Sequence, residues 1–171
     1  MIKLKSVINM KQANKIEKTN AIRFLEQKKI NFETYTYPHT DEAVSGEVVA
    51  ELINKDPKIV FKTLVGVGNG KTNYVFVIPV LKNLDLKKVA KLTNEKNISL
   101  IPVKELLTLT GYVRGGCSPI GMKKQFKTFF HESCLNYEKI IFSGGKIGLQ
   151  VEINPTDVIK LINARTENII E

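Results

Sequence analysis

The positions of apolar and polar residues along the chain predict alternating short helices and strands, with no internal repeat, low-complexity run or evident linker. Ala21, Phe24, Leu25 and Lys28 recur at helical spacing behind Thr19, a good capping residue, and predict a helix through about Lys29. Residues 31–37 read as a strand. A second helix begins near Ser45, buries Val48, Val49, Leu52 and Ile53, and is stopped by Pro57. The strongest strand pair covers residues 58–67 and 74–80, joined by a turn-rich connection at 68–73. Asp85 caps a helix that turns Leu86, Val89, Ala90 and Leu92 inward and its lysines outward. A short strand at 98–101, a helix at 102–109 and a second hairpin, 139–143 with 149–153, follow. A closing helix has Asn154 as cap, Pro155 at its first position and Asp157 in its first turn. Hairpins interleaved with helices predict a mixed α/β (α+β) fold: a curled, barrel-like mixed sheet with helices packed outside.

With 171 residues, 43% of them apolar, the chain can bury a self-sufficient core without disulfides or a structural metal. Its two cysteines, Cys117 and Cys134, have no CxxC spacing and only two histidines accompany them, which excludes a zinc ribbon or a disulfide scaffold and suits a reducing cytoplasm. No apolar run is long enough for a membrane span, and the Lys-rich first nine residues lack the apolar segment of a secretory signal; Met10 is an alternative start. The formal net charge is +9, and it is uneven. Residues 1–29 carry eight Lys or Arg against Glu17 and Glu26, whereas residues 33–56 carry six acids against Lys55. Further lysines cluster at Lys82, Lys87, Lys88, Lys91 and Lys96, and at Lys123, Lys124 and Lys127. Such patches fit either a polyanionic partner or a solvated surface, and charge alone does not choose between them.

Lys62 lies in an apolar strand with Val60 and Leu64 as same-face neighbours. It is either a lysine snorkelling from a strand edge or a cation aimed into a pocket to hold an anionic group. The stretch Gly111-Tyr112-Val113-Arg114-Gly115-Gly116-Cys117-Ser118-Pro119-Ile120-Gly121 could let backbone N–H groups converge on a carbonyl oxygen or phosphate. No dinucleotide or P-loop motif is present. Cys117 has no histidine near it in sequence, so a packing or loop role is preferred over a nucleophile. The Gly144-Gly145-Lys146-Ile147-Gly148-Leu149-Gln150 stretch reads first as a turn, and His39 and His131 as surface residues. With no paired carboxylates, triad or metal-ligand cluster, an enzyme built on this chain would work by positioning and backbone electrostatics.

Val60-Phe61-Lys62-Thr63-Leu64, Leu84-Asp85-Leu86-Lys87-Lys88-Val89-Ala90, Gly111-Tyr112 through Gly121, and Ser143-Gly144-Gly145-Lys146 with Gly148-Leu149 stand in the order seen in the YbaK/EbsC family of Cys-tRNA(Pro) deacylases, free-standing relatives of the prolyl-tRNA synthetase editing domain. The chain resembles that family from about Thr19 to Ile170, which divides it into a basic extension at 1–18 and one aminoacyl-tRNA deacylase domain at 19–171. The resemblance implies release of cysteine wrongly attached to tRNA(Pro), with Cys-tRNA(Cys) as a second candidate substrate, through attack of the substrate's own thiol on its ester. It places Lys62 at the phosphate or ribose of the terminal adenosine. It gives the backbone amides of Gly115, Gly116, Cys117 and Ser118, in a G-x-x-x-P loop closed by Pro119, the task of holding the aminoacyl carbonyl. It puts Tyr37, Ser45, Thr63, Gly144 and Gln150 in the substrate pocket. The implied partner is the tRNA acceptor end, with prolyl-tRNA synthetase as a further candidate; no cofactor, metal or membrane is implied, and the implied location is the cytoplasm.

Two positions depart from the family pattern. Gln150 stands where Asp is frequent, and Ser45 where an aromatic is frequent. Gln hydrogen-bonds but carries no negative charge, so the choice of amino acid could differ. The alternatives are an editing hydrolase for another mischarged tRNA such as Ala-tRNA(Pro), and a non-catalytic module that binds tRNA or a synthetase.

Overall fold

A computed structural model describes residues 6–8 and 18–171. The Lys-rich start and Met10 otherwise lie outside the described residues. Among the described residues there are five helices, four of them set by side-chain capping chemistry that the sequence carries. Helix α1 (Asn20–Gln27) begins where Thr19 accepts the Ile22 N–H at 3.1 Å, and α2 (Gly46–Leu52) where Ser45 accepts the Val48 N–H at 3.2 Å. In α3 (Leu86–Leu92) Asp85 accepts two N–H groups, and in α5 (Pro155–Leu161) Asn154 accepts one. Helix α4 (Val103–Thr110) has no side-chain cap and ends on Gly111 at φ 86°. After α2, α3 and α5 the left-handed position is taken by an asparagine, Asn54, Asn94 or Asn163. Asn is the side chain that tolerates this conformation best after glycine.

The strands are β1 (Ser6–Ile8), β2 (Phe32–Thr36), β3 (Phe61–Gly68), β4 (Asn73–Pro79), β5 (Ile98–Leu100), β6 (Lys127–His131), β7 (Ile140–Lys146), β8 (Leu149–Ile153) and β9 (Arg165–Glu167). They form a four-stranded sheet, β1-β2-β8-β7, and a five-stranded sheet, β5-β3-β4-β6-β9. The second is mixed: β4 runs parallel to β6 and β6 parallel to β9, while β3 is antiparallel to β4 and β5. Strand β4 is apolar on both faces because both are covered. Val75 and Val77 join the main core with Phe61, Val65, Phe142 and Val151, while Tyr74, Phe76 and Ile78 pack with Val89 and Ala90 of α3.

The expected mixed α/β fold with a curled sheet is present, in the form of two sheets that meet at one corner. There a bridge pairs Val60 with Ile141, alongside the part of β3 that β5 leaves uncovered. Among the described residues the other ends of the sheets, β1 and β9, have no strand partner beyond them, and the curl does not close. Residues 58 and 59, the expected start of the first strong strand, belong to a 3-10 turn (Pro57–Ile59) because Asp56 caps it and Pro57 sits at its start. Strands β6 and β9 were not expected; each is short and is defined by parallel pairing with a sequence-distant strand.

Candidate active site

Strand β3 carries Lys62 and Thr63 to the edge of a cleft of about 460 Å³. The first turn of α2 and the residues before it, Ala43 to Gly46, form one wall. Val80, just past β4, lies beside them; Arg114, Gly115 and Cys117 of the glycine loop close another side, and Ser143 and Gln150 of the β7–β8 hairpin the base. The α2 wall is held from behind. Tyr35 on β2 donates its hydroxyl to Glu152 of β8 at 3.1 Å, and Lys55, after α2, lies 3.4 Å from the same carboxylate and over the Tyr35 ring.

Lys62 is half-buried, and burial lowers its pKa from the ordinary lysine value. Among the described residues no carboxylate or hydrogen-bond acceptor meets its ammonium, so the cation is desolvated and unpartnered there. The adjacent Thr63 Oγ1 is buried and also unpartnered among the described residues.

In the loop, Gly115 at φ 84° and Gly121 at φ 68° adopt backbone that other residues resist. An added Cβ at Gly115 would sit 2.7 Å from Ala43 Cβ, and one at Gly116 2.8 Å from Lys146 Cα. The loop therefore rests directly on the α2 wall and the β7–β8 turn. One expectation about its amides needs correcting. The Gly116 N–H donates to the Val113 carbonyl at 2.9 Å, inside a tight turn, whereas the N–H groups of Gly115, Cys117 and Ser118 have no acceptor among the described residues. The Cys117 thiol is pushed up to about 12 by burial, so at neutral pH it is a thiol and a poor nucleophile.

Lys62, Thr63, Ser45, Gly115, Cys117 and Gln150 thus share one cleft; the other expected site residues stand behind it. Tyr37 is buried in the layer between β2 and α2, its phenol raised above the ordinary value by desolvation, with the Gly148 backbone and the Gln150 side chain acting the other way. It reaches the cleft only through Gln150. Gly116, Ser118 and Pro119 are buried in the body of the loop, and the buried Ser118 hydroxyl has no partner among the described residues. The Gly144 carbonyl accepts the Thr19 hydroxyl and its α-carbon packs on Leu149. Ser143 takes its place at the cleft, accepting the Gly145 N–H at 3.1 Å. Ser45 spends its oxygen on the α2 cap.

Sequence reasoning missed Arg114 and Ser143 as cleft residues. Arg114 lay in the glycine loop already singled out, but nothing in its spacing says which way it faces. Neither histidine enters the cleft: His39 is exposed on a neighbouring groove, and His131 ends β6 and accepts the Ser133 N–H. Among the described residues no group of three or more His, Cys, Asp or Glu is placed to hold a metal ion, and no helix is long and apolar enough to cross a membrane. The site offers a desolvated cation, free loop amides and neutral polar side chains.

The profile of the aminoacyl-tRNA editing domain matches residues 40–161, which span the cleft. A protein of Enterococcus faecalis, EbsC, whose assigned activity is Cys-tRNA(Pro)/Cys-tRNA(Cys) deacylation, is 44% identical over 149 residues, covering 87% of this chain and 91% of that protein. Among solved structures, a protein assigned as a trans-editing enzyme for prolyl-tRNA synthetase aligns with a TM-score of 0.78 at 22% identity, covering 91% of this chain and 99% of that one. A hypothetical protein aligns with a TM-score of 0.80 at 20% identity, covering 89% and 99%. These two establish a shared fold.

Proposed function

Because the chain belongs to the aminoacyl-tRNA editing domain family, we propose that it is a cytoplasmic deacylase that releases cysteine from Cys-tRNA(Pro), and from Cys-tRNA(Cys) as a second substrate. The observation that carries this reading is the composition of the cleft. A cation and loop amides stand unpartnered, while the only thiol present is protonated and no base adjoins it. Such a site binds and positions; it supplies no nucleophile.

In this reading Lys62 holds the phosphate or ribose of the terminal adenosine. The N–H groups of Gly115, Cys117 and Ser118 take the aminoacyl carbonyl as it gains negative charge. The substrate's thiol attacks that carbonyl: the sulfur–carbon bond forms, the ester carbon–oxygen bond breaks, and the thiol proton ends on the ribose hydroxyl. The cyclic thioester of cysteine leaves with the free tRNA. Effective molarities on the order of 10⁵ M or more for well-oriented intramolecular attack make positioning sufficient. The need is physical, since an apolar synthetase pocket separates amino acids that differ by about one methylene by only ~1–3 kcal/mol.

Gln150 favours a second reading. It is 5% exposed and reaches the cleft as a neutral amide, so the amino group of the substrate meets no carboxylate there. A pocket of that kind would suit release of alanine from Ala-tRNA(Pro) by water. Initial rates on tRNA(Pro) carrying cysteine, serine or alanine test both. We expect cysteine to be released at least a hundredfold faster than either. Alanine released as fast as cysteine would establish the second reading, and no release of any of them would leave only a binding module.

A further inference from the structure

Next to the cleft lies a larger open groove of about 890 Å³ that shares Ala43 and Arg114 with it, so the two form one continuous depression. Its floor includes Val103 and Leu107 of α4 and Val113 of the glycine loop, with 57%, 53% and 46% of their surfaces exposed. Besides Lys146, its charged lining residues away from the shared edge are Asp41, Glu42 and Lys104. Among the described residues, none of these three nor Arg114 is ion-paired. Exposed branched side chains in a groove lined by both carboxylates and cations match neither a bare anion site nor a protein core.

We propose that this groove is a nucleotide subsite that takes the cytidine preceding the terminal adenosine of the acceptor end. The proposal rests on the deacylase reading above, because the terminal adenosine must first occupy the cleft. Every tRNA ends in CCA, so the strand leaving the cleft begins with a cytidine. Cytosine presents an exocyclic amino group, which Asp or Glu accepts well, and a flat apolar face that fits Val103 and Leu107. Arg114, at the junction, lies where the phosphate between the two nucleotides must pass, and Lys104 lies further along the strand. Uridine has a carbonyl in place of the amino group and would set one acceptor against another.

The test uses the full chain and acceptor-stem minihelices that end in CCA or CUA, each acylated chemically with cysteine, together with 3′-O-cysteinyl-adenosine. Wild type should turn over the CCA minihelix with roughly tenfold higher kcat/KM than the CUA form, in line with base discrimination by good polar pairs. The double variant Asp41→Asn with Glu42→Gln should lose that preference. Lys104→Ala should raise KM on both minihelices. Both variants should act on cysteinyl-adenosine as wild type does. Equal wild-type kcat/KM for CCA and CUA, or equal losses on cysteinyl-adenosine, would overturn the subsite. If wild type releases cysteine from no substrate, the deacylase reading fails by itself. The subsite is then judged by Kd for uncharged CCA and CUA minihelices, and equal values reject it.

Discussion

Lys62 places a charge in β3 where the fold would be better served by an apolar side chain, and that tension can be measured. Burial lowers its folded-state pKa below the ordinary 10.5. Between the lowered value and 10.5 the unfolded chain binds more protons than the folded one, so stability rises with pH across that window. Below the window the full desolvation cost is present. Lys62→Met should therefore raise the melting temperature at pH 7, and the gain should shrink towards zero as the pH approaches 10.5. Deacylation of Cys-tRNA(Pro) by the same variant should fall at least a hundredfold. A site that gives up stability for function behaves in this way. If Lys62→Met lowers the melting temperature and activity together, the lysine is a structural residue and the anion-holding role is wrong.

Elements position the site by leaning on one another, and the glycine loop shows how narrow the tolerance is. The Cβ of an alanine at Gly116 would meet the Lys146 Cα and carbonyl carbon, and Ile147 N, all within 3.0 Å. Backbone atoms of a hairpin cannot swing aside as a side chain could, so the loop has to lift and carry the Cys117 and Ser118 amides with it. We expect Gly116→Ala to lower kcat at least tenfold with a drop of a few degrees in melting temperature. Gly70→Ala, whose Cβ would meet only Glu95 Oε1 at 3.7 Å, should leave kcat at wild-type level. Equal kcat in both variants would remove the loop amides from the mechanism. The helices were legible in the sequence because Thr19, Ser45, Asp85 and Asn154 are local signals, each satisfied within three residues. Strands β6 and β9 were not, since Lys127–His131 becomes a strand only by pairing with β4, and Arg165–Glu167 only by pairing with β6. The open corner between the sheets has the same origin: the Val60–Ile141 bridge joins segments some eighty residues apart.

At the scale of the whole molecule, the parts of the site that sequence reveals are those with a local oddity, a lysine in an apolar strand and glycines in succession, whereas Gln150 stands out only against the pattern of the family the chain resembles. Arg114 and the groove beside it have no such mark, because they exist only where residues 39–43, α4, the glycine loop and the β7–β8 turn come together. The net charge of +9 draws a polyanion to the whole surface, but only cations that touch phosphates release counterions. Of the four cations along the continuous depression, Lys146 is already engaged within the chain, which leaves Lys62, Arg114 and Lys104 without an ion-pair partner among the described residues. With about 0.7 counterion released per phosphate of a single strand, log kcat/KM on Cys-tRNA(Pro) should fall against log salt with a slope near −2. Lys104→Ala should flatten that slope by about 0.7. Cysteinyl-adenosine, which has no phosphate, should show almost no salt dependence. A slope for tRNA much steeper than −2 that Lys104→Ala leaves unchanged would move the phosphate path away from the groove and onto another basic surface, such as the exposed lysines of α3.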